Sequence, residues 1–274
     1  VTGGTGVLSP AGAGLTGVSR GASAVGDLDG DGDQDSVVTG SDGIGNRTAS
    51  VYRGDGNGGF TEVSSPGVTP VTNSSVSLGD LNGDGTLDLL VTGEDGSGTA
   101  TTTVYHGNGD GTFTDQGFTL LGVTNGAMAM AEVDGDGALE FVVVGRDGSG
   151  EPTATLYDQD GGGYTSEEAG LNGVEEASIA FGDVNNDDNL DLVTTGFDGD
   201  GNPQTTLYTG DGTGSFTTVS AGLPDVAFGA ARFGDVDNDG NLDLALSGQT
   251  VPEGVSTTDD ETTELYLGDG SAGF

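Results

Sequence analysis

An acidic nonapeptide returns five times along this chain, starting at Asp27, Asp80, Glu132, Asp183 and Asp235, so successive copies lie 53, 52, 51 and 52 residues apart. A period of that length predicts a repeat architecture, in which each unit must stack on its neighbours to bury an apolar face. The second copy, Asp80-Leu81-Asn82-Gly83-Asp84-Gly85-Thr86-Leu87-Asp88, carries side-chain oxygens at its positions 1, 3, 5 and 9. Calcium takes roughly six to eight oxygens in a flexible cage, and alternate carboxylates on a tight loop, with the carbonyl at position 7, supply most of one. Gly32, Gly85, Gly137 and Gly240 stand at position 6, where a sharp turn needs a left-handed backbone.

Around each loop the sequence reads as β-structure. Upstream lies a short alternating segment, such as Ser75-Val76-Ser77-Leu78, which suits a strand with one buried face. Downstream comes an apolar run, such as Leu139-Glu140-Phe141-Val142-Val143-Val144, which suits a strand covered on both faces. A Gly- and Asp-rich hairpin signal follows, then a third strand ending near Tyr52, Tyr105, Tyr157, Tyr208 or Tyr266. A second glycine-rich turn leads to Phe60, Phe113, Tyr164, Phe216 or Phe274, each opening a fourth strand. No stretch of helical periodicity is found. Four short antiparallel strands per unit is the content of a β-propeller blade. The expected fold is therefore all-β: one domain over residues 1–274, with five four-stranded blades of about 52 residues and loops at 27–35, 80–88, 132–140, 183–191 and 235–243. The chain opens in the phase of a fourth strand and closes where one would begin. Val7 to Leu15 is expected to pair with the third strand of the last unit, around Glu264 to Leu267, and close the ring.

The pattern Gly79-Asp80-Leu81-Asn82-Gly83-Asp84-Gly85, with Asp88 behind it and apolar strands on either side, resembles the FG-GAP or VCBS repeat. That repeat builds the calcium-binding propeller of integrin α-chains and of many microbial surface proteins. The resemblance covers all five units and implies calcium in the hairpin loops between the first and second strands of each blade. Up to five calcium ions are expected. The ligands would be Asp27, Asp29, Asp31, Asp33 and Asp35; Asp80, Asn82, Asp84, Thr86 and Asp88; Glu132, Asp134, Asp136, Ala138 and Glu140; Asp183, Asn185, Asp187, Asn189 and Asp191; and Asp235, Asp237, Asp239, Asn241 and Asp243. The residue at position 7 offers its carbonyl. Two copies depart from the pattern: the third puts Glu132 and Glu140 where the others have Asp, and the fourth puts Asp188 where the glycine belongs.

Composition narrows the setting. The chain has 45 carboxylates against five arginines, no lysine and a formal charge of −40. Five calcium ions would leave about −30 of it. Nucleic acid and anionic membranes repel such a surface, so neither is expected as a partner. An acidic, lysine-free surface rich in small residues suits a protein working in concentrated salt, where self-repulsion is screened over roughly 3 Å. No run is long and apolar enough for membrane insertion. The chain lacks an initiator Met and a signal peptide, so a mature or excised segment is expected, outside the cell where free calcium is plentiful.

Other motifs have structural readings. Arg53-Gly54-Asp55 spells an integrin-recognition tripeptide, yet its Gly-Asp belongs to the repeat's own turn, as Gly210-Asp211 and Gly268-Asp269 show. His106 is the only histidine and cysteine is absent, so neither a zinc site nor a histidine triad is available. Position 12 is Val38, Val91, Val143, Thr194 or Leu246, never the bidentate Glu of an EF-hand. Asn46 and Asn73 head N-glycosylation triplets, and the last unit carries a longer acidic loop from Gln249 to Glu264. The expected function is a non-enzymatic adhesion, binding or surface-assembly module. Its partner would be a protein or glycan at the cell surface, or copies of itself. The alternatives are a filament subunit assembled by strand exchange and a carbohydrate-active enzyme such as a polysaccharide lyase.

Overall fold

The computed structural model describes residues 14–160, 162–254 and 260–274. All regular structure among them is β. The first unit holds β1 (Ser19–Gly26), β2 (Asp35–Ser41), β3 (Arg47–Gly54) and β4 (Phe60–Glu62). The second holds β5 (Thr72–Gly79), β6 (Asp88–Glu94), β7 (Ala100–Gly107) and β8 (Phe113–Asp115). The third holds β9 (Val123–Ala131), β10 (Glu140–Asp147), β11 (Pro152–Asp160) and β12 (Gly163–Glu167). The fourth holds β13 (Glu175–Gly182), β14 (Asp191–Phe197), β15 (Pro203–Gly210) and β16 (Phe216–Val219). The last holds β17 (Ala227–Gly234), β18 (Asp243–Gln249) and β19 (Glu261–Tyr266). Every unit is an antiparallel meander, and one bridge, Thr101 to Val123, joins the second and third into a single sheet.

Local chemistry sets the turns. Between the second and third strands of the first four units an aspartate closes the hairpin: Asp42 Oδ1 accepts the N–H groups of Ile44 and Asn46, both at 2.9 Å. Asp95, Asp147 and Asp198 do the same in the next three units. These hydrogen bonds hold the four carboxyls below the usual aspartate range, with the backbone N–H groups or, at Asp95 and Asp147, a serine hydroxyl contributing most. Part of the acidic excess is thus turn-forming chemistry.

The second strand of each unit is the buried one. Val37, Leu89, Leu90, Phe141, Val142, Val143, Val144, Leu192, Val193 and Leu244 have no accessible surface. Alternate side chains serve opposite neighbours, because successive residues of a strand point to opposite faces. Leu89 and Val91 pack with Val37 and Val51 of the unit before, whereas Leu90 packs with Phe141 and Val143 of the unit after. Val142 and Val144 then meet Leu192 and Tyr208, and Val193 meets Leu244 and Leu246. The core is therefore a series of layers between stacked sheets. Each buried Val, Leu or Phe side chain contributes about 1.5–3 kcal/mol.

The stack has two different ends. Leu28, Leu81, Val133 and Val184, at position 2 of their loops, are buried, but their counterpart Val236 is 54% exposed. Val25 in the first unit is 62% exposed, and Leu265 and Leu267 in the last are also exposed. A Cβ added at Gly26, Gly79 or Gly182 would strike the following unit, and one at Gly234 would meet nothing within 4 Å. The expected pairing of Val7–Leu15 with the last unit lies outside the described residues, except for Leu15, which is exposed and belongs to no strand. Likewise, the middle of the acidic loop of the last unit, 255–259, is not described.

A tyrosine latch ties each unit to the segment that leads into it. The hydroxyls of Tyr52, Tyr105, Tyr157 and Tyr208 accept the backbone N–H of Thr16, Thr69, Leu121 and Asn172, at 3.1, 3.1, 2.7 and 3.0 Å. In all four the partner lies 36 residues upstream. The equivalent residue in the last unit is Pro224, aligned through the buried Val174 and Val226, and proline has no N–H to give. Tyr266 instead donates to Glu264. Tyr105→Phe is expected to cost about 1 kcal/mol, because it strands the Thr69 N–H. Tyr266→Phe should leave the denaturation midpoint where it is. Equal losses in the two variants would refute the latch.

Candidate metal loops

Each nonapeptide joins the first strand of its unit to the second, and the loop folds around its own first carboxylate. Asp27 accepts the N–H of Gly30 on Oδ1 at 2.8 Å and that of Gly32 on Oδ2 at 3.0 Å. Asp80 and Asp235 accept the N–H groups of positions 5 and 6 at 2.9–3.1 Å. Position 6 is left-handed in every copy: φ is 91° at Gly32, 87° at Gly85, 90° at Gly137 and 92° at Gly240. Asp188 takes the same conformation, with φ at 69°, and still donates to Asp183 at 3.0 Å. The acid at position 5 accepts the N–H of position 7 at 2.7–2.9 Å in all five loops.

This winding gathers carboxylates. Asp27, Asp29 and Asp31 place ligand oxygens within 4.8 Å of one another, as do Glu132, Asp134 and Asp136, and Asp235, Asp237 and Asp239. In the second and fourth loops Asn82 and Asn185 stand at position 3, and their amides donate to Asp84 and Asp187 at 3.0 and 3.1 Å. The donor set is all oxygen, the ligand type that hard cations such as calcium take.

The last ligand expected from the sequence has a second employment. Asp35, Asp88, Asp191 and Asp243 are essentially inaccessible. Their Oδ2 atoms accept the N–H of position 2 in their own loops, from Leu28, Leu81, Val184 and Val236, at 2.8–3.0 Å. Their Oδ1 atoms accept the N–H of Gly54, Gly107, Gly210 and Gly268, at the end of the third strand, at 2.8–3.0 Å. A Cβ at any of those glycines would lie 2.1–2.3 Å from the carbonyl oxygen of loop position 8. Only glycine lets the third strand approach this closely. The position-9 acid thus pins loop to hairpin, and it stands outside the groups of carboxylates that converge within 4.8 Å, which come from positions 1, 3 and 5.

The third unit breaks the arrangement. Gln159 stands where the others have glycine, and the acid facing it is the longer Glu140. Glu140 Oε2 accepts the N–H of Val133 at 2.6 Å, but Oε1 is buried without a partner. Burial, opposed by the Val133 hydrogen bond and reinforced by Asp134, Asp136 and Glu132, pushes this carboxyl up to about 7.

Two other sequence motifs resolve into the repeat. In Arg53-Gly54-Asp55 the arginine pairs with Asp29 at 3.2 Å, the glycine donates to Asp35, and Asp55 Oδ1 closes the following turn on Asn57 and Gly59. Asn73, the second glycosylation triplet, lies on β5 beside a cavity. The sequence reading passed over that cavity altogether. It is lined by the first strands of all five units, at Arg20, Asn73, Asn125, Glu176 and Phe228. The available signal was five equivalent positions carrying four kinds of side chain within an otherwise regular repeat.

Comparison with known proteins agrees with the repeat. The FG-GAP-like repeat family matches residues 27–91, 80–143 and 132–194. No curated protein matches the chain. Among solved structures, a thermostable family-43 glycoside hydrolase aligns over 94% of this chain and 92% of its own, at 12% identity and a TM-score of 0.44. A mutant Aleuria aurantia lectin in complex with alpha-methyl-L-fucoside aligns over 92% and 79%, at 12% identity and a TM-score of 0.49. An alpha-L-arabinofuranosidase from Lactobacillus brevis aligns over 91% and 90%, at 10% identity and a TM-score of 0.40. Likeness at this level carries no functional argument.

Glu140 generates a prediction with opposite signs in two conditions. In calcium-free protein its folded-state pKa, about 7, lies above the ordinary value of 4.5. Its stabilising contribution is then complete below the ordinary value and is lost as pH rises through 7. Glu140→Gln keeps an acceptor for Val133 and removes the buried charge. It should therefore raise the melting temperature of chelated protein at pH 8, by on the order of 1 kcal/mol of stability. In saturating calcium the same variant should lower it. A loss of stability in chelated protein would refute the assignment.

Proposed function

Because this chain belongs to the FG-GAP-like repeat family, which matches it across residues 27–194, we propose that it is a calcium-stabilised, non-enzymatic binding module working outside the cell. The observation that carries this reading is the set of three loops whose carboxylates converge within 4.8 Å: Asp27, Asp29 and Asp31; Glu132, Asp134 and Asp136; and Asp235, Asp237 and Asp239. Carboxylates this close repel one another without a cation, so the ion becomes part of the folding equilibrium. The residues holding it would be those at loop positions 1, 3 and 5, the carbonyl at position 7, and the acid at position 9. The second and fourth loops, with Asn82 and Asn185, complete a set of up to five. Among the described residues no helix is long and apolar enough to cross a membrane.

The proposed architecture is a single domain, a five-bladed propeller closed by the N-terminal segment on β19. Two features support closure: the first strands of all five units line one cavity, and the exposed apolar side chains gather on the first and last units. The charge of −40 further supports a salt-rich habitat.

Metal content and stability test the reading together. Protein equilibrated with excess calcium should retain at least three ions per chain, and its melting temperature should fall on chelation. In chelator the fold should be lost below roughly 0.1 M salt, where the screening length reaches about 10 Å. Protein that keeps no calcium would overturn the proposal, and a circular dichroism spectrum unchanged by desalting would remove the salt-rich habitat from it.

Closure has its own test. Removing residues 1–17 should lower the melting temperature of a monomer. Folded subunits that lose only their capacity to assemble would favour strand exchange between copies, and monomers of undiminished stability would exclude both.

A further inference from the structure

The five first strands share a distortion. On each, two residues bulge out of register with the second strand, at Arg20-Gly21, Asn73-Ser74, Asn125-Gly126, Glu176-Ala177 and Phe228-Gly229. The leading residue of every bulge is left-handed, with φ of 51°, 50°, 53°, 47° and 52°. Opposite each, the second strand carries a glycine with φ between 144° and 156°: Gly40, Gly93, Gly145, Gly196 and Gly248. Asn tolerates a left-handed backbone, but Arg, Glu and Phe are unfavourable there. A left-handed backbone kept at five equivalent places, three of them given to side chains unfavourable there, points to a use for those side chains.

All five line one cavity of ≈ 700 Å³. That volume lies within the ordinary range of small-molecule sites, about 300–1,000 Å³. The bulges are held from behind. The Thr72 hydroxyl donates to the Arg20 carbonyl at 3.5 Å, and the Thr124 hydroxyl to the Asn73 carbonyl at 3.4 Å. Phe228 stands edge-on to Phe197, with centroids 5.1 Å apart, and still exposes 54% of its surface.

Charge is distributed unusually here. Of the five arginines, four are engaged: Arg47 with Glu94, Arg53 with Asp29, Arg146 with Glu175, and Arg232 with Ser178. The guanidinium of Arg20 makes no ion pair or hydrogen bond among the described residues. A protein of formal charge −40 thus places on this cavity the one arginine that is unengaged among the described residues. Glu176 faces the same space three units away, and the two do not pair.

Those groups define a ligand. A guanidinium offers two parallel N–H donors to a carboxylate. Glu176 and the acidic field of the whole molecule oppose a doubly charged group such as a phosphate monoester. The amides of Asn73 and Asn125, and the Glu176 carboxylate, match hydroxyls that both donate and accept. The exposed ring of Phe228 covers an apolar C–H face. Hydroxyls on the rim, one apolar face and a single carboxylate are together the chemistry of a uronic acid ring. We propose that this cavity is a binding site for a carboxylated saccharide, with Arg20 on the carboxylate and Phe228 under the ring.

The test uses calcium-loaded protein and three probes: a glucosyl-glucuronate disaccharide with a single carboxylate, its neutral methyl ester, and an acetylated dipeptide amide with a single carboxylate. Calorimetric titration should show the disaccharide binding more tightly than the other two. Arg20→Asn keeps a residue suited to the left-handed backbone. It should weaken the disaccharide by about tenfold, the loss of one charge-assisted contact, and leave the ester within about twofold. Phe228→Asn should weaken both sugars. Both variants should melt no lower than the parent, since Asn already occupies two of the five positions, which separates a binding role from a structural one. Failure of either sugar to bind, tighter binding of the dipeptide, or unchanged affinity in both variants would overturn the proposal. Calcium content measured on the same samples keeps that outcome distinct from a failure of the metal loops.

Discussion

Everything in this fold hangs on a carboxylate that has been taken out of water. An ionised acid in an apolar interior is costly unless its oxygens are hydrogen-bonded, and here two backbone N–H groups do that work. One comes from the loop and the other from the far end of the third strand, so a single side chain sets where a loop sits relative to its hairpin. Asp88, Asp191 and Asp243 repeat the same pair of contacts. The apolar residue at loop position 2 donates one of those N–H groups and is buried in all but the last unit. The pin therefore positions the metal loop on one side and a layer of the core on the other.

The units differ where their surroundings differ. In the third, Gln159 cannot approach the loop as glycine does, and the longer Glu140 that faces it ends with one oxygen unpartnered. In the fourth, Asp188 accepts the left-handed backbone that glycine takes elsewhere.

Much of this was legible in the sequence. Period-two segments, buried runs and glycine-rich turns gave the strands, because each pattern has a direct local cause. The first, third and fifth loop oxygens were legible for the same reason: spacing on a tight turn fixes their convergence. The double role of Asp35 and its counterparts was not, since their second partner lies 19 residues on at Gly54 and 25 on at Gly268. The cavity positions were hidden differently. Arg20, Asn73, Asn125, Glu176 and Phe228 share a place in the fold, but only Asn73 and Asn125 share a side chain, so an alignment made on likeness passes them by. The latch tyrosines were seen as strand markers, but nothing in sequence spacing reveals which N–H a hydroxyl will meet.

Pro224 has a consequence for how the molecule comes apart. In an array whose layers are held mainly by their neighbours, opening propagates from the weakest layer rather than everywhere at once. Four units are fastened to their incoming segment by a tyrosine hydroxyl, and the fifth, entering through a residue without an N–H, is not. That unit also carries the exposed Val236, Leu265 and Leu267. Amide protons there should exchange with solvent first and proteases should enter there first, so the molecule opens at its last unit before the other four.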